Sequence, residues 1–253
     1  MLEKRKPIIG LTMGDPNGIG PEIIVKALTK LNSCLDWHPV IFGDAWVLEQ
    51  VIHKLGSNLQ LRVCENLTEL TGGPCIVDLK VHSGRNWNLG QVSAWGGESS
   101  FQFLKAATEA ALANQIDAIT TAPLSKKALH MAGHHFPGHT EILSELSNGA
   151  PPIMMLTVEG LRAVHTSTHV SLRNAIEQLK PKRILEVAQV THDALRRMGI
   201  ENPRLALPGL NPHAGEEGLF GDEEKEILLP ALNLMEEAGI NCIGPISPDT
   251  VFL

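Results

Sequence analysis

Pro7-Ile8-Ile9-Gly10-Leu11-Thr12-Met13-Gly14-Asp15-Pro16-Asn17-Gly18-Ile19-Gly20-Pro21-Glu22 runs from an unbroken apolar stretch into a Gly/Pro/Asn cluster and then into a helix start. A short apolar run closed by turn formers reads as a buried strand. Pro21 suits the first turn of a helix, and 22–31 has helical apolar spacing with an acid in its opening turn. The pattern then repeats. Residues 38–43 read as a strand, Asp44 as an N-cap, and 45–55 as a helix. Strands are expected at 59–64 and 75–79, a loop at 83–88, an Ala-rich helix at 99–114, and a strand at 117–121 ended by Ala122-Pro123. Alternation of this kind predicts a mostly parallel sheet covered on both faces.

The pattern changes after that. Residues 153–158 and 161–166 are strand-like and separated by Glu159-Gly160, a β-hairpin signal. Helices follow at 171–179 and 181–198, then a strand at 204–207 and a long helix at 222–238 that Pro230 should bend or divide. The expected boundary lies between a first α/β lobe, 1–125, and a second, 126–253.

Composition narrows the function. A chain of 253 residues with 43% hydrophobic residues can bury a sizeable core as one large α/β unit or two lobes. Tyrosine is absent and aromatics are few, so aliphatic side chains must fill that core. The net charge of −7, with only short Lys/Arg runs such as 4–6 and 180–183, argues against a nucleic-acid partner. Cys34, Cys64, Cys75 and Cys242 form no C-x-x-C pair, so reduced thiols and a cytoplasmic location are expected. No apolar run is long enough for a signal peptide or a membrane span.

Five places could carry chemistry. Residues 14–22 follow a strand and open a helix, where free N–H groups bind anions; a tight strand-to-helix turn explains them as well. The stretch lacks both G-x-G-x-x-G and a Walker lysine. Gly138-His139-Thr140-Glu141, preceded by His134-His135-Phe136-Pro137, puts a titrating ring and a hydroxyl at the start of a helix running to Leu146. That start would attract carboxylate or phosphate, or be a His-rich surface turn. His169 and His213 each lie just beyond a strand-like run, where α/β sheets bind ligands, and neutral imidazole is a common metal ligand. A lone histidine is more often a satisfied polar residue than a ligand. Asp249, in Ser247-Pro248-Asp249-Thr250-Val251, is a carboxylate near a strand end or simply a turn residue beside proline.

Taken in order, 14–22, 121–126, 137–141, 167–169, 210–216 and 248–252 resemble the 4-hydroxythreonine-4-phosphate dehydrogenase family over essentially the whole chain. The resemblance implies an isocitrate/isopropylmalate-dehydrogenase-like α/β fold, two lobes with a mixed sheet and a cleft, and a homodimer with active sites at the subunit interface. It implies that His169 and His213 bind metal and that His139 and Thr140 bind substrate. Asp249 matches an acidic position near the site and joins His139 as a catalytic candidate. The implied cofactors are NAD, with NADP as the alternative, and a divalent metal: zinc, magnesium, manganese or cobalt. No cofactor-binding residues are assigned. Residues 121–129, 133–141 and 218–224 look closer to a second branch, which oxidises D-threonate or D-erythronate 4-phosphate rather than 4-phosphohydroxy-L-threonine. Family members continue past Leu253, where a third metal-ligand histidine, basic phosphate contacts and a cofactor segment would lie. The chain is therefore read as C-terminally truncated, its first lobe incomplete, with weak metal binding and little turnover expected of 1–253 alone.

The chemistry implied is oxidation and decarboxylation of a small phosphorylated hydroxy acid, with hydride passing to NAD. Two rival readings stand beside it: a metal-dependent hydrolase or aldolase on an α/β barrel, and a non-catalytic remnant that keeps the fold.

Overall fold

A computed structural model describes residues 5–31, 36–64, 67, 73–81, 87–149 and 152–252. The chain divides into two units, Met1–Pro152 and Ile153–Leu253.

The first unit is built on a sheet of β1 (Ile8–Thr12), β2 (His38–Gly43), β3 (Arg62–Val63), β4 (Cys75–Asp78) and β5 (Ala118–Thr121). The order is β3-β4-β2-β1-β5, and every pairing is parallel. Such an open sheet excludes the barrel reading for this unit. Its helices are α1 (Gly20–Leu31), α2 (Ala45–Leu55), α3 (Ala94–Leu112), α4 (Lys126–Met131) and α5 (His139–Leu146).

Strand β2 shows why the sheet is covered on both faces. Alternate strand residues point to opposite sides. Ile41 packs with Ile24, Val25 and Leu28 of α1 and Val47 and Leu48 of α2. Its neighbours Val40 and Phe42 pack with Ala107 and Ala110 of α3. All three β2 residues are buried. The alanines let α3 lie close, which explains why an Ala-rich helix was placed there.

Local rules fix the helix ends. Asp44 accepts from the Val47 N–H at 3.1 Å, as expected of an N-cap, and Gly56 closes α2 in the left-handed conformation. Helix α3 begins at Ala94 rather than 99, because Ser93 caps it by accepting from Gly96 N–H at 3.0 Å. Ser125 caps α4 in the same way at 3.2 Å, a short helix that apolar spacing did not reveal. A cluster of Leu104 from α3, Leu129 from α4 and Ile142 from α5 ties these helices together. The expected break after Ser125 therefore does not coincide with the packing: α4 and α5 belong with the first unit.

Two other expectations change. Cys64 and Cys75 form a disulfide with Cα atoms 5.7 Å apart, so these two are not reduced thiols. β3 and β4 are adjacent and parallel, and this pairing brings together cysteines whose sequence spacing gave no sign of it. Cys242 is free. Cys34 and most of the loop expected at 83–88 lie outside the described residues.

The second unit opens with an antiparallel hairpin, β6 (Met155–Val158) and β7 (Leu161–Val164), in its own two-stranded sheet. Helices α6 (Leu172–Gln178) and α7 (Pro181–Arg197) follow. β8 (Leu205–Pro208) pairs in parallel with β9 (Cys242–Ile246). The sequence placed Asp249 near a strand end but gave no bounds for β9. Pro230 acts as expected. A π-helical stretch, Glu224–Leu228, precedes α8 (Leu229–Glu237), and Leu229 N–H bonds to the Glu224 carbonyl across the wider turn. The unit's core is Ile184 and Ala188 of α7 with Leu228, Ala231, Met235 and Ile240. Among the described residues no helix is long and apolar enough to cross a membrane.

Candidate active site

In the first unit, β2 lies on one side of β1 and β5 on the other. The chain leaves β1 toward β2, and α3 later carries it across to β5. The loops after β1 and β5 thus diverge at a switch point, where open α/β sheets bind ligands. Gly14 has φ +69°, and a Cβ there would lie 2.3 Å from the Pro123 carbonyl oxygen. Only glycine lets the two loops touch.

The loop after β1 is committed to itself. Asp15 N–H donates to the Pro123 carbonyl at 3.1 Å, and Gly18 N–H to the Asp15 carbonyl at 2.9 Å. The Asn17 N–H donates to the Asp15 carboxylate at 2.9 Å. The Asn17 side chain donates to Ser93 Oγ at 3.0 Å and accepts from Asn88 N–H at 3.1 Å. Burial raises the Asp15 pKa, opposed by the Asn17 N–H. With the Asp15, Asn17 and Gly18 N–H groups engaged and a buried acid at its centre, this stretch is built as a tight strand-to-helix turn.

His139 opens α5, next to the β5 end. Its ring hydrogen-bonds the Ala122 backbone, while burial lowers its pKa against that bond. The imidazole is therefore neutral at pH 7. Thr140 is exposed beside it. No side chain caps α5, since its N-cap is Gly138. The preceding His134 is a brace: it stacks on Phe101 with centroids 3.8 Å apart and bonds Glu98 at 2.8 Å.

In the second unit, the ends of β8 and β9 lie side by side, with Pro208 in register with Ile246. The chain then runs to His213 from one strand and to Asp249 from the other. Their proximity follows: His213 Nδ1 is 3.8 Å from Asp249 Oδ2, and both side chains are more than half exposed. That distance suits an ion pair and exceeds a hydrogen bond. Ser247 Oγ donates to the same carboxylate at 2.9 Å. His169 is also exposed, with φ +58°. Imidazole and carboxylate are the donor types a divalent ion takes. Among the described residues, however, no three His, Cys, Asp or Glu side chains form a ready cage.

The His213 segment has an unusual backbone. His213, Ala214, Gly215, Glu216 and Glu217 are all left-handed, with φ between 43° and 79°. This costs about 1–2 kcal/mol for each non-glycine residue. The sequence gave no sign of it, nor of the residue that holds it. Glu224 is 5% exposed. It accepts from the backbone N–H groups of Leu210 and Asn211 at 2.8 and 2.7 Å and from the Asn211 side chain at 2.9 Å. Burial works to raise its pKa, but the bonds from Asn211 and Leu210 prevail and lower it.

Relatives agree with this architecture. The family described as pyridoxal phosphate biosynthetic protein PdxA matches residues 36–253. The D-threonate 4-phosphate dehydrogenase of Salmonella typhimurium is 42% identical over 250 residues, covering 97% of this chain and 76% of the relative. Among solved structures, a 4-hydroxythreonine-4-phosphate dehydrogenase from Burkholderia phymatum superposes with a TM-score of 0.92 at 39% identity, over 98% of this chain and 76% of that one. One from Klebsiella pneumoniae gives 0.91 at 40%, over 99% and 76%. The fold is the isocitrate/isopropylmalate-dehydrogenase-like α/β fold, and the chain belongs to the PdxA family of dehydrogenases.

Proposed function

We propose that this chain serves the NAD-dependent oxidation and decarboxylation of D-threonate 4-phosphate or a close 4-phosphorylated hydroxy acid such as D-erythronate 4-phosphate, giving dihydroxyacetone phosphate. The observation that carries this reading is the 42% identity to the Salmonella typhimurium enzyme across 97% of the chain. 4-Phosphohydroxy-L-threonine, which would give 3-amino-2-oxopropyl phosphate, is the second reading, favoured by the likeness to the two solved 4-hydroxythreonine-4-phosphate dehydrogenases.

The roles follow from local chemistry. His139 and Thr140 bind substrate. One ring nitrogen of the neutral His139 is engaged with the Ala122 backbone, which leaves the other to accept a hydrogen bond or a proton from a substrate hydroxyl. The first N–H groups of α5, without a side-chain cap, suit a carboxylate or phosphate oxygen. His169 and His213 would hold a divalent metal, whose contribution is Lewis-acid polarisation of the substrate hydroxyl and carboxylate. The Asp249 carboxylate, 3.8 Å from His213 Nδ1, would stand beside that ring as a neighbouring negative charge. NAD is favoured over NADP, and the cytoplasm is the expected location for such small-molecule chemistry. The partner is a second copy. Leu156, Val158 and Leu161 of the hairpin and Leu172 and Ile176 of α6 are exposed large apolar side chains that a homodimer would cover.

The test is NADH formation from D-threonate 4-phosphate and from 4-phosphohydroxy-L-threonine. It compares residues 1–253 with a chimaera that adds the part of the Salmonella typhimurium relative outside the match. The chimaera should prefer the threonate. Preference for the amino substrate would select the second reading, and no NADH from either would end both.

A further inference from the structure

We propose that Glu224 is a positioning residue for His213, acting as the clamp that holds the left-handed 213–217 turn in place. The inference rests on the reading of His213 as a metal ligand. A run of left-handed non-glycine residues does not persist by local preference, so surrounding structure must over-determine it. The clamp has two jaws. One Glu224 oxygen takes the N–H groups of Leu210 and Asn211, and the other takes the Asn211 side-chain amide, which also donates to Glu223 at 2.8 Å. These contacts fix the chain two and three residues before His213.

The fit on the far side of the turn is equally close. A Cβ on Gly215 would lie 2.6 Å from the second Glu224 oxygen, and one on Gly209 would lie 2.8 Å from Ala214 Cα. The turn is therefore wrapped around this carboxylate, with no room for a larger residue at either glycine. Lys225 closes the other end by donating to the Glu217 carbonyl. Glu224 itself opens the π-helical stretch enforced by Pro230, so the irregular backbone of one element sets the carboxylate that shapes the other. Nothing in this arrangement places Glu224 on substrate. Its 5% exposure and its commitment to three donors make it a support rather than a reacting group.

The experiment follows the His213 ring by NMR in histidine-labelled protein, assigned with His213→Gln, in wild type, Glu224→Gln, Glu224→Asp and Glu224→Ala. Measured first without metal, the Ala variant should move or split the His213 signal while His139 stays put. Gln, which keeps the length and one oxygen, should rescue much of the wild-type signal. Zinc chloride is then titrated in. The half-saturating concentration at His213 should rise about tenfold or more in the Ala variant, as for lost supports of metal-ligating histidines. If Glu224→Ala does not fold, Glu224→Asp decides, since its shorter side chain cannot reach both jaws. Wild-type His213 signals in every folded variant, with only the melting temperature reduced, would overturn the proposal. A wild-type ring that ignores zinc would remove the metal reading while leaving the metal-free result to judge the clamp.

Discussion

The two units solve different problems with the same kinds of element. The first buries a five-stranded parallel sheet between helices and fills three apolar clusters, in which Met13, Ile41, Ile76, Phe103, Leu104, Leu129 and Ile142 are at most 1% exposed. The second has two separate pairs of strands, one apolar cluster, and a hairpin whose Leu156 and Val158 are 56% and 66% exposed. The candidate metal ligands, the left-handed turn and the π-helical stretch all fall in the second unit. The regular unit supplies a stable frame and the uncapped start of α5, where the proposed reading puts substrate. The irregular one carries strained, exposed donors and exposed apolar side chains, which the proposed homodimer would cover.

The largest expected effect tests the frame. Phe103 is fully buried, and Phe103→Ala should cost the first unit about 4 kcal/mol in denaturant unfolding. A loss near that seen for an exposed residue would mean the core is looser than its burial implies. Next comes the Cys64–Cys75 bond, which closes a short loop at the β3 edge. Its reduction should lower stability by about 2–3 kcal/mol without changing His139 or His213 chemistry. An unchanged unfolding midpoint under dithiothreitol would show that the bond adds nothing to the frame.

A smaller effect tests His139. Its folded pKa is depressed by burial, so the unfolded chain binds the proton more readily. Stability from this group is therefore present above the ordinary histidine pKa and lost as pH falls through and below it. His139→Gln should flatten the fall in stability between neutral and mildly acid pH; an identical pH profile would contradict a neutral, half-buried ring. The smallest stability change belongs to the hairpin. Leu156→Asp with Val158→Asp should alter monomer stability by no more than about 0.5 kcal/mol, yet give a monomer by light scattering where the unaltered chain is expected to give the proposed dimer. A dimer that survives both substitutions would move the interface elsewhere.

The regular unit was also the legible one. Apolar runs and punctuating Gly, Pro and Asp residues marked β1, α1, β2 and α2, because each obeys one period and one cap rule. Where packing overrides pattern, the sequence said less. Helix α4 rests on a Ser125 cap and on contact with α3, and β9 forms despite Gly244-Pro245 because β8 offers it a parallel partner. Placement at a helix start and beyond strand-like runs marked His139, His169 and His213 as candidates, and only the family resemblance gave them roles. Spacing alone could not bring Asp249 beside His213, because that proximity depends on β9 pairing with β8. Glu224 escaped for the same reason. An acid in a run of acids reads as solvated surface until the Leu210–Asn211 backbone closes over it.

The exposed histidines of the second unit are proposed to hold one ion together. Zinc chloride titrated into histidine-labelled protein, followed on assigned ring signals, measures this without requiring turnover. His169 and His213 should move together along one saturation curve, and His130, His134 and His135 of the first unit should stay unmoved. Independent curves for His169 and His213, or zinc taken first by His130 and His135, would contradict the account.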